Sequence, residues 1–306
     1  MIKTVRWIIF ILCSGFLIYK IARIEDFSLF WDSLKNLTIR NFFLLFVAFF
    51  LLFANFLTES IKWKILLKNI FLINLVSSIK AVVWGQAGAF VTPNSIGEFP
   101  TRALNIPDGY RLKAVTMGFV GSLAQTVAIT VCGLVALLVY VLGSRIELTS
   151  FHYKTVLYAG LSISVLLIST YIFLPNFGNL LQKSRFGKLR QFSDALRFFT
   201  VKQSVSVFLL SFLKYLIFST QYFLILNFFG VKFSLSEALT AMPVFYLFLT
   251  YIPLMNIFEV AVRSSVAIFV FGYFTQDIAA IIAASTLFWL MNFCLPTFIA
   301  LFLVKK

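Results

Sequence analysis

The chain has 306 residues, 61% of them apolar and 12% charged, with a mean hydropathy of +0.97 and a formal net charge of +15. A water-soluble domain needs a polar surface and cannot carry that composition, so lipid is the solvent of this chain. Nucleic acid is excluded as the partner of the excess charge, because the lysines and arginines are strung between apolar runs and form no stripe with stacking aromatics.

Runs of about 20 apolar residues, enough to cross ~30 Å of hydrocarbon, recur along the sequence. The first helix, 7–24, grows from the run Trp7 to Tyr19 behind Lys3 and Arg6. No small-x-small cleavage site follows it, so it reads as an uncleaved span and not a secretory signal. A first repeat, 42–143, opens with the span Phe42 to Leu57 and a connection flanked by Lys62, Lys64, Lys68 and Lys80. The next run, Ala81 to Val91, is too short to cross and breaks at Thr92-Pro93-Asn94-Ser95-Ile96-Gly97 before a short helix near Glu98. Ala114 to Leu142 then spans.

A connecting helix, 155–174, follows a polar stretch holding the single histidine, His152, which has no metal-ligand types beside it. The segment 175–202 is a basic loop with Lys183, Arg185, Lys188, Arg190, Arg197 and Lys202. It carries an amphipathic pattern on Phe186, Leu189, Phe192, Leu196 and Phe199 that predicts a short helix lying on the membrane surface. A second repeat, 203–304, starts with the span Val205 to Phe229. Between Glu237 and Asp277 an apolar run breaks near Tyr251-Ile252-Pro253-Leu254-Met255-Asn256, with another short helix beginning near Phe258, and Ile278 to Val304 is the last span. Basic residues in the connections, with Lys305 and Lys306 at the end, place both termini on the cytoplasmic side of an inner membrane. The expected fold is an all-α polytopic membrane bundle of two inverted repeats, each with a proline-broken re-entrant hairpin. Such repeats are a recurring plan of transporters whose sites form from broken helices near the midplane.

Each break is followed by Glu-x-x-x-Arg, Glu98 with Arg102 and Glu259 with Arg263. Residues four apart share a helical face and can pair. Charges in an apolar helix cost at least ~2.5–3.5 kcal/mol each at its centre, so these four are expected to face the protein interior or a watered cavity. Two roles stay open for them. They are ion pairs that hold the hairpins in the bundle, or the arginines receive a lipid phosphate while the glutamates position them or accept an ammonium group or proton. Lys214, in the middle of its span, either pairs with Glu259 or snorkels to the interface, and Glu59 sits near the cytoplasmic end of its own helix. Gln125 and Asn292, with Gln86 and Asn256, line the same cavity or hydrogen-bond between helices. Cys13, Cys132 and Cys294 lie far apart inside apolar runs and read as small hydrophobes, so no disulfide, metal site or cofactor is expected.

The stretch Thr92-Pro93, Gly97-Glu98-Phe99 and Arg102-Ala103-Leu104 resembles the flippase-like transmembrane family of the lysylphosphatidylglycerol synthase type. The order of spans extends that resemblance to nearly the whole chain. The chain departs from it at Ser95, where a basic residue is common, and at Leu254-Met255-Asn256-Ile257, where glycines are. The resemblance implies movement of lipids between leaflets. The leading expectation is thus a non-enzymatic transporter of a lipid or lipid-linked precursor, with Glu98, Arg102, Glu259, Arg263, Lys214, Gln125 and Asn292 around an anionic headgroup. Two alternatives are a membrane-embedded transferase using Glu98 or Glu259 as general base, and a non-catalytic subunit docked to a lipid or glycan synthase.

Overall fold

The computed structural model describes residues 37–92, 94–143, 150–176, 193–252 and 259–304, together with Trp31 and Lys35. The expected first helix, Cys13, most of the basic loop, Pro253, Asn256 and the two terminal lysines lie outside the described residues. Among the described residues the regular structure is helical: α1 (Ile39–Leu67), α2 (Leu75–Val91), α3 (Glu98–Ala103), α4 (Asp108–Gly143), α5 (Ser150–Ile172), α6 (Val201–Phe228), α7 (Leu235–Tyr251), α8 (Glu259–Phe271), α9 (Ile278–Trp289), a π-helical turn (Leu290–Cys294) and α10 (Leu295–Val304). Among the described residues four stretches are long and apolar enough to cross a membrane: Ile39–Leu67, Asp108–Val139, Val201–Phe228 and Ile278–Ala300.

The distribution of side chains is that of a protein dissolved in lipid. On α1 the stripe Ala48, Leu52, Asn55, Glu59, Lys62, Trp63 and Leu66 is buried. Phe42, Phe43, Phe46, Phe49, Phe50 and Phe53 point outward, with Phe46 68% exposed. Small, polar and charged residues inside and phenylalanines outside is the arrangement expected when the surrounding solvent is hydrocarbon and polar groups must find partners within the bundle.

Local chemistry sets the helix ends. Asn74 accepts from the Ser77 amide to open α2, capping boxes at Thr200 with Gln203 and Ser234 with Glu237 open α6 and α7, and Asp277 accepts from the Ala280 amide to open α9. The π turn has a local cause as well. Pro296 brings no amide and its ring crowds the carbonyl four residues back, that of Asn292, so the turn widens just before it and the Leu295 amide reaches the Leu290 carbonyl.

Helices α1 and α6 run antiparallel along their whole length. Asn41 Nδ2 donates to the Phe228 carbonyl at 3.3 Å, Gln221 Nε2 to that of Ala48 at 3.0 Å, and Gln203 Nε2 to that of Ile65 at 2.8 Å. Around this pair α2 packs on α3 and reaches across to α10, while α7 packs on α8 and reaches across to α4. The second crossing is pinned where Thr130 Oγ1 meets the Tyr251 hydroxyl at 2.8 Å. The first brings the rings of Phe90 and Trp289 to 6.2 Å.

Two expectations need correction. Helix α1 does not stop at Leu57 but runs to Leu67, because no glycine or proline interrupts it, and Lys62 is therefore a buried helical residue and not part of a connection. Leu196 and Phe199 do not lie on a surface helix. Both are buried in the apolar cluster of Trp63, Leu66 and Met117, held there as Asn69 Nδ2 donates to the Phe198 carbonyl at 2.9 Å. Phe186, Leu189 and Phe192 lie outside the described residues.

Candidate functional site

The first break is built so that α3 can lie directly against α2. Thr92 Oγ1 donates to the Gly88 carbonyl and accepts from the Gly97 amide at 2.8 Å, closing the loop on itself. The loop turns through left-handed backbone at Asn94 (φ 52°) and Ser95 (φ 55°), a conformation costly for a residue with a β-carbon. A β-carbon on Gly88 would strike Gly97 and Thr101, and one on Gly85 would come within 2.7 Å of Arg102 Cγ. Bare glycine backbone on this face of α2 is what gives the Arg102 side chain room to extend.

It extends into a buried charge cluster. Arg102 Nη1 donates to Glu59 Oε1 at 2.7 Å, and Nη2 pairs with Glu98 Oε1. The other oxygen of Glu59, Oε2, takes Lys62 Nζ and Lys214 Nζ, both at 2.7 Å. One carboxylate on α1 thus accepts from three cations, contributed by α1, α3 and α6. Arg102, Lys62 and Glu59 are nearly closed off, while Glu98 and Lys214 remain 19% and 15% exposed and form the open side. The guanidinium of Arg102 lies 5.7 Å from the centre of the Trp63 ring, and its Nε is buried with no hydrogen-bond partner.

Lys214 therefore does not pair with Glu259. The antiparallel fit of α6 against α1 delivers it to Glu59, so neither proposed fate, the Glu259 pair or snorkelling, is observed. Glu59 and Lys62 are not among the expected site residues, because the sequence reading puts Glu59 near the cytoplasmic end of its own helix and Lys62 beside the connection that follows. The uninterrupted run from Ile39 to Leu67, in which Glu59 follows the buried Leu52 and Asn55 on one face, was the available signal.

The second unit places its arginine differently. Arg263 pairs with Glu259 one turn away, and its guanidinium lies 4.8 Å from the Phe288 ring centre, 5.7 Å from Phe293 and 5.9 Å from Phe245. Among the described residues its Nε and Nη1 have no hydrogen-bond partners, and the buried guanidinium faces this aromatic surround, a cation–π arrangement. Arg102 lies beside Trp63 of one apolar cluster and Arg263 beside Phe245 and Phe288 of another, and α6 contributes Val207 to the first and Tyr215 and Tyr222 to the second. Lys214, Phe218 and Tyr222 stand four residues apart on that helix, so the stretch from Lys214 to Tyr222 covers about 12 Å. Lys214 Nζ lies 5.6 Å from the Phe218 ring, and the rings of Phe218 and Tyr222 lie 5.7 and 5.2 Å from Phe288.

Of the remaining predicted residues, Asn292 sits in the π turn. Its Nδ2 donates to the Phe288 carbonyl at 3.0 Å and its Oδ1 is buried without a partner. Gln125 on α4 also has a buried Oε1 without a partner, and Gln86 is half-buried on α2.

A family model for the lysylphosphatidylglycerol synthase TM region matches residues 7–300. No curated protein matches the chain.

Proposed function

The chain belongs to the family of the lysylphosphatidylglycerol synthase TM region, and from that premise we propose that it is a transporter which binds the anionic headgroup of a lipid or lipid-linked precursor at the Arg102 cluster and carries it between leaflets. One observation carries the reading: three cations converge on the single carboxylate of Glu59, inside apolar helices, with an open side at Glu98 and Lys214. Such a concentration of charge at membrane depth is expensive and is the expected mark of a site for a charged ligand.

The packing supports an inverted repeat. The units α1-α2-α3-α4 and α6-α7-α8-α9 have the same order, α1 and α6 run antiparallel, and each unit sends its second helix onto the last part of the other, α2 to α10 and α7 to α4. A two-fold axis in the membrane plane relates elements in that way, and alternating access then proceeds by rocking one unit against the other. In this reading the breaks at 92–97 and 252–258 are the tips of re-entrant hairpins, the basic connections face the cytoplasm, and the Glu259–Arg263 pair keeps α8 fixed in its unit.

Exchange of labelled phosphatidylglycerol between leaflets of reconstituted liposomes tests the proposal. The wild-type chain is expected to accelerate exchange, and Arg102→Gln combined with Lys214→Gln to abolish it. Equal exchange by the two proteins would remove the Arg102 cluster from the mechanism.

A further inference from the structure

We propose that Glu59 sets the valence of the headgroup: it holds the buried cluster at one surplus positive charge, so that the site accepts phosphodiesters carrying a single negative charge and rejects phosphomonoesters and diphosphates. This rests on the reading that the Arg102 cluster receives a lipid headgroup, and adds to it the class of phosphate and the residue that selects it.

The cluster holds three cations, Arg102, Lys62 and Lys214. Among the described residues the carboxylates paired with them are Glu59 and Glu98. Three positive charges against two negative leave one. A surplus unit charge in a site this dry interacts strongly with an incoming ion, since the screening that water provides is largely lost. A monoanion cancels the surplus. A dianion replaces a surplus positive charge with a surplus negative one at the same depth, and gains nothing by entering.

The geometry makes Glu59 the controlling residue. Glu98 stands at the open side, partly exposed, and among the described residues pairs with Arg102 alone, whereas Glu59 is closed off and touches all three cations. Glu59 occupies the place that a bound anion would otherwise take between Lys62 and Lys214, so it both balances the cluster and limits what can be added to it. The Arg102 Nε–H, buried without an acceptor among the described residues, is a donor available for one further oxygen. Among the described residues the opposite site offers no such surplus, because Arg263 is matched by Glu259 one to one and enclosed by rings.

Titration calorimetry of the full chain in detergent, with dioctanoyl phosphatidylglycerol and dioctanoyl phosphatidic acid at pH 7, tests the assignment. A phosphomonoester has a second ionisation near pH 6 and carries close to two charges there, while the diester carries one. The wild-type chain is expected to bind the diester at least about tenfold more tightly, the lower end for one unbalanced charge in a partly dry site. Glu59→Gln raises the surplus to two and is expected to invert the preference. Glu59→Gln with Lys62→Gln returns the surplus to one and restores it, which a role for the carboxylate independent of charge balance would not do. If the single Glu59 variant does not fold, Lys62→Gln, with no surplus, is expected to lose diester binding by about tenfold or more. An unchanged preference in Glu59→Gln and in the double variant, with tight diester binding by the wild type, overturns the valence assignment and leaves the headgroup site standing. Binding of neither lipid by the wild type overturns both.

Discussion

The two arginines at positions 102 and 263 open from the same short motif and end in opposite surroundings. The α2 and α7 N-caps, Asn74 and Ser234, differ by 234 minus 74, or 160 residues, and the two arginines by 263 minus 102, or 161. At an offset of 160 Gly85 corresponds to Phe245, and at the offset of the α1 and α6 N-caps, Thr38 and Thr200, which is 200 minus 38 or 162, Glu59 corresponds to Gln221 and Lys62 to Leu224. Where the first unit has bare backbone, a carboxylate and an amine, the second has a ring, an amide and an apolar side chain. One guanidinium enters a charge network with a partly open side, and the other is matched by a single carboxylate and sealed by aromatic faces. The comparison teaches that Glu-x-x-x-Arg after a break fixes only where a charge enters the bundle. Its use is decided by three positions on neighbouring helices.

The sharpest way to break this comparison is to remove one member of the sealed pair. Arg263→Ala leaves the Glu259 carboxylate buried and alone, and is expected to destabilise the chain by ~3–5 kcal/mol, whereas replacing both, Glu259→Leu with Arg263→Met, is expected to recover most of that loss. Thermal unfolding in detergent measures both, and a double variant no better than Arg263→Ala would show that this pair is more than a packed structural contact.

Gly85→Ala attacks the feature that most separates the units. Its new methyl group overlaps Arg102, so a loss of ~1–3 kcal/mol is expected from overpacking, together with weakened headgroup exchange. Unchanged stability and exchange would mean the close approach of α2 to Arg102 is dispensable. Lys214→Gln sharpens the comparison from the other side. Glu59 keeps Lys62 and Arg102 as partners, so stability is expected to change by only about 1 kcal/mol, the worth of one hydrogen-bonded contact, while exchange falls. Loss of both together would assign Lys214 to the scaffold. The smallest effect is expected at the loop tip. Ser95→Gly relieves a left-handed backbone that costs roughly 1–2 kcal/mol, offset in part by the greater freedom of glycine in the unfolded chain, and a rise in unfolding temperature of a few degrees would follow.

Much of the architecture was legible in the linear pattern. Runs of apolar residues located α1, α4, α6 and the α9–α10 span, and the Thr92 to Gly97 stretch announced a break because its proline and glycine cannot continue a helix. Arg102 and Arg263 were singled out because a charge among apolar neighbours requires a partner, and each does pair with the glutamate one turn before it. Glu59 and Lys62 were not assigned to the site because charges at the end of an apolar run look like the edge of a membrane span. The α1 helix in fact carries them onward on its buried face.

What the sequence settled by itself was the solvent, the helical class and the spacing of each glutamate from its arginine, all consequences of local hydropathy and the 3.6-residue turn. The partner of Lys214 was a matter for tertiary structure alone. Residues 59 and 214 are joined only because α6 lies antiparallel on α1 in one register, and a shift of a single turn, about 5.4 Å, would move the amine beyond reach of the carboxylate.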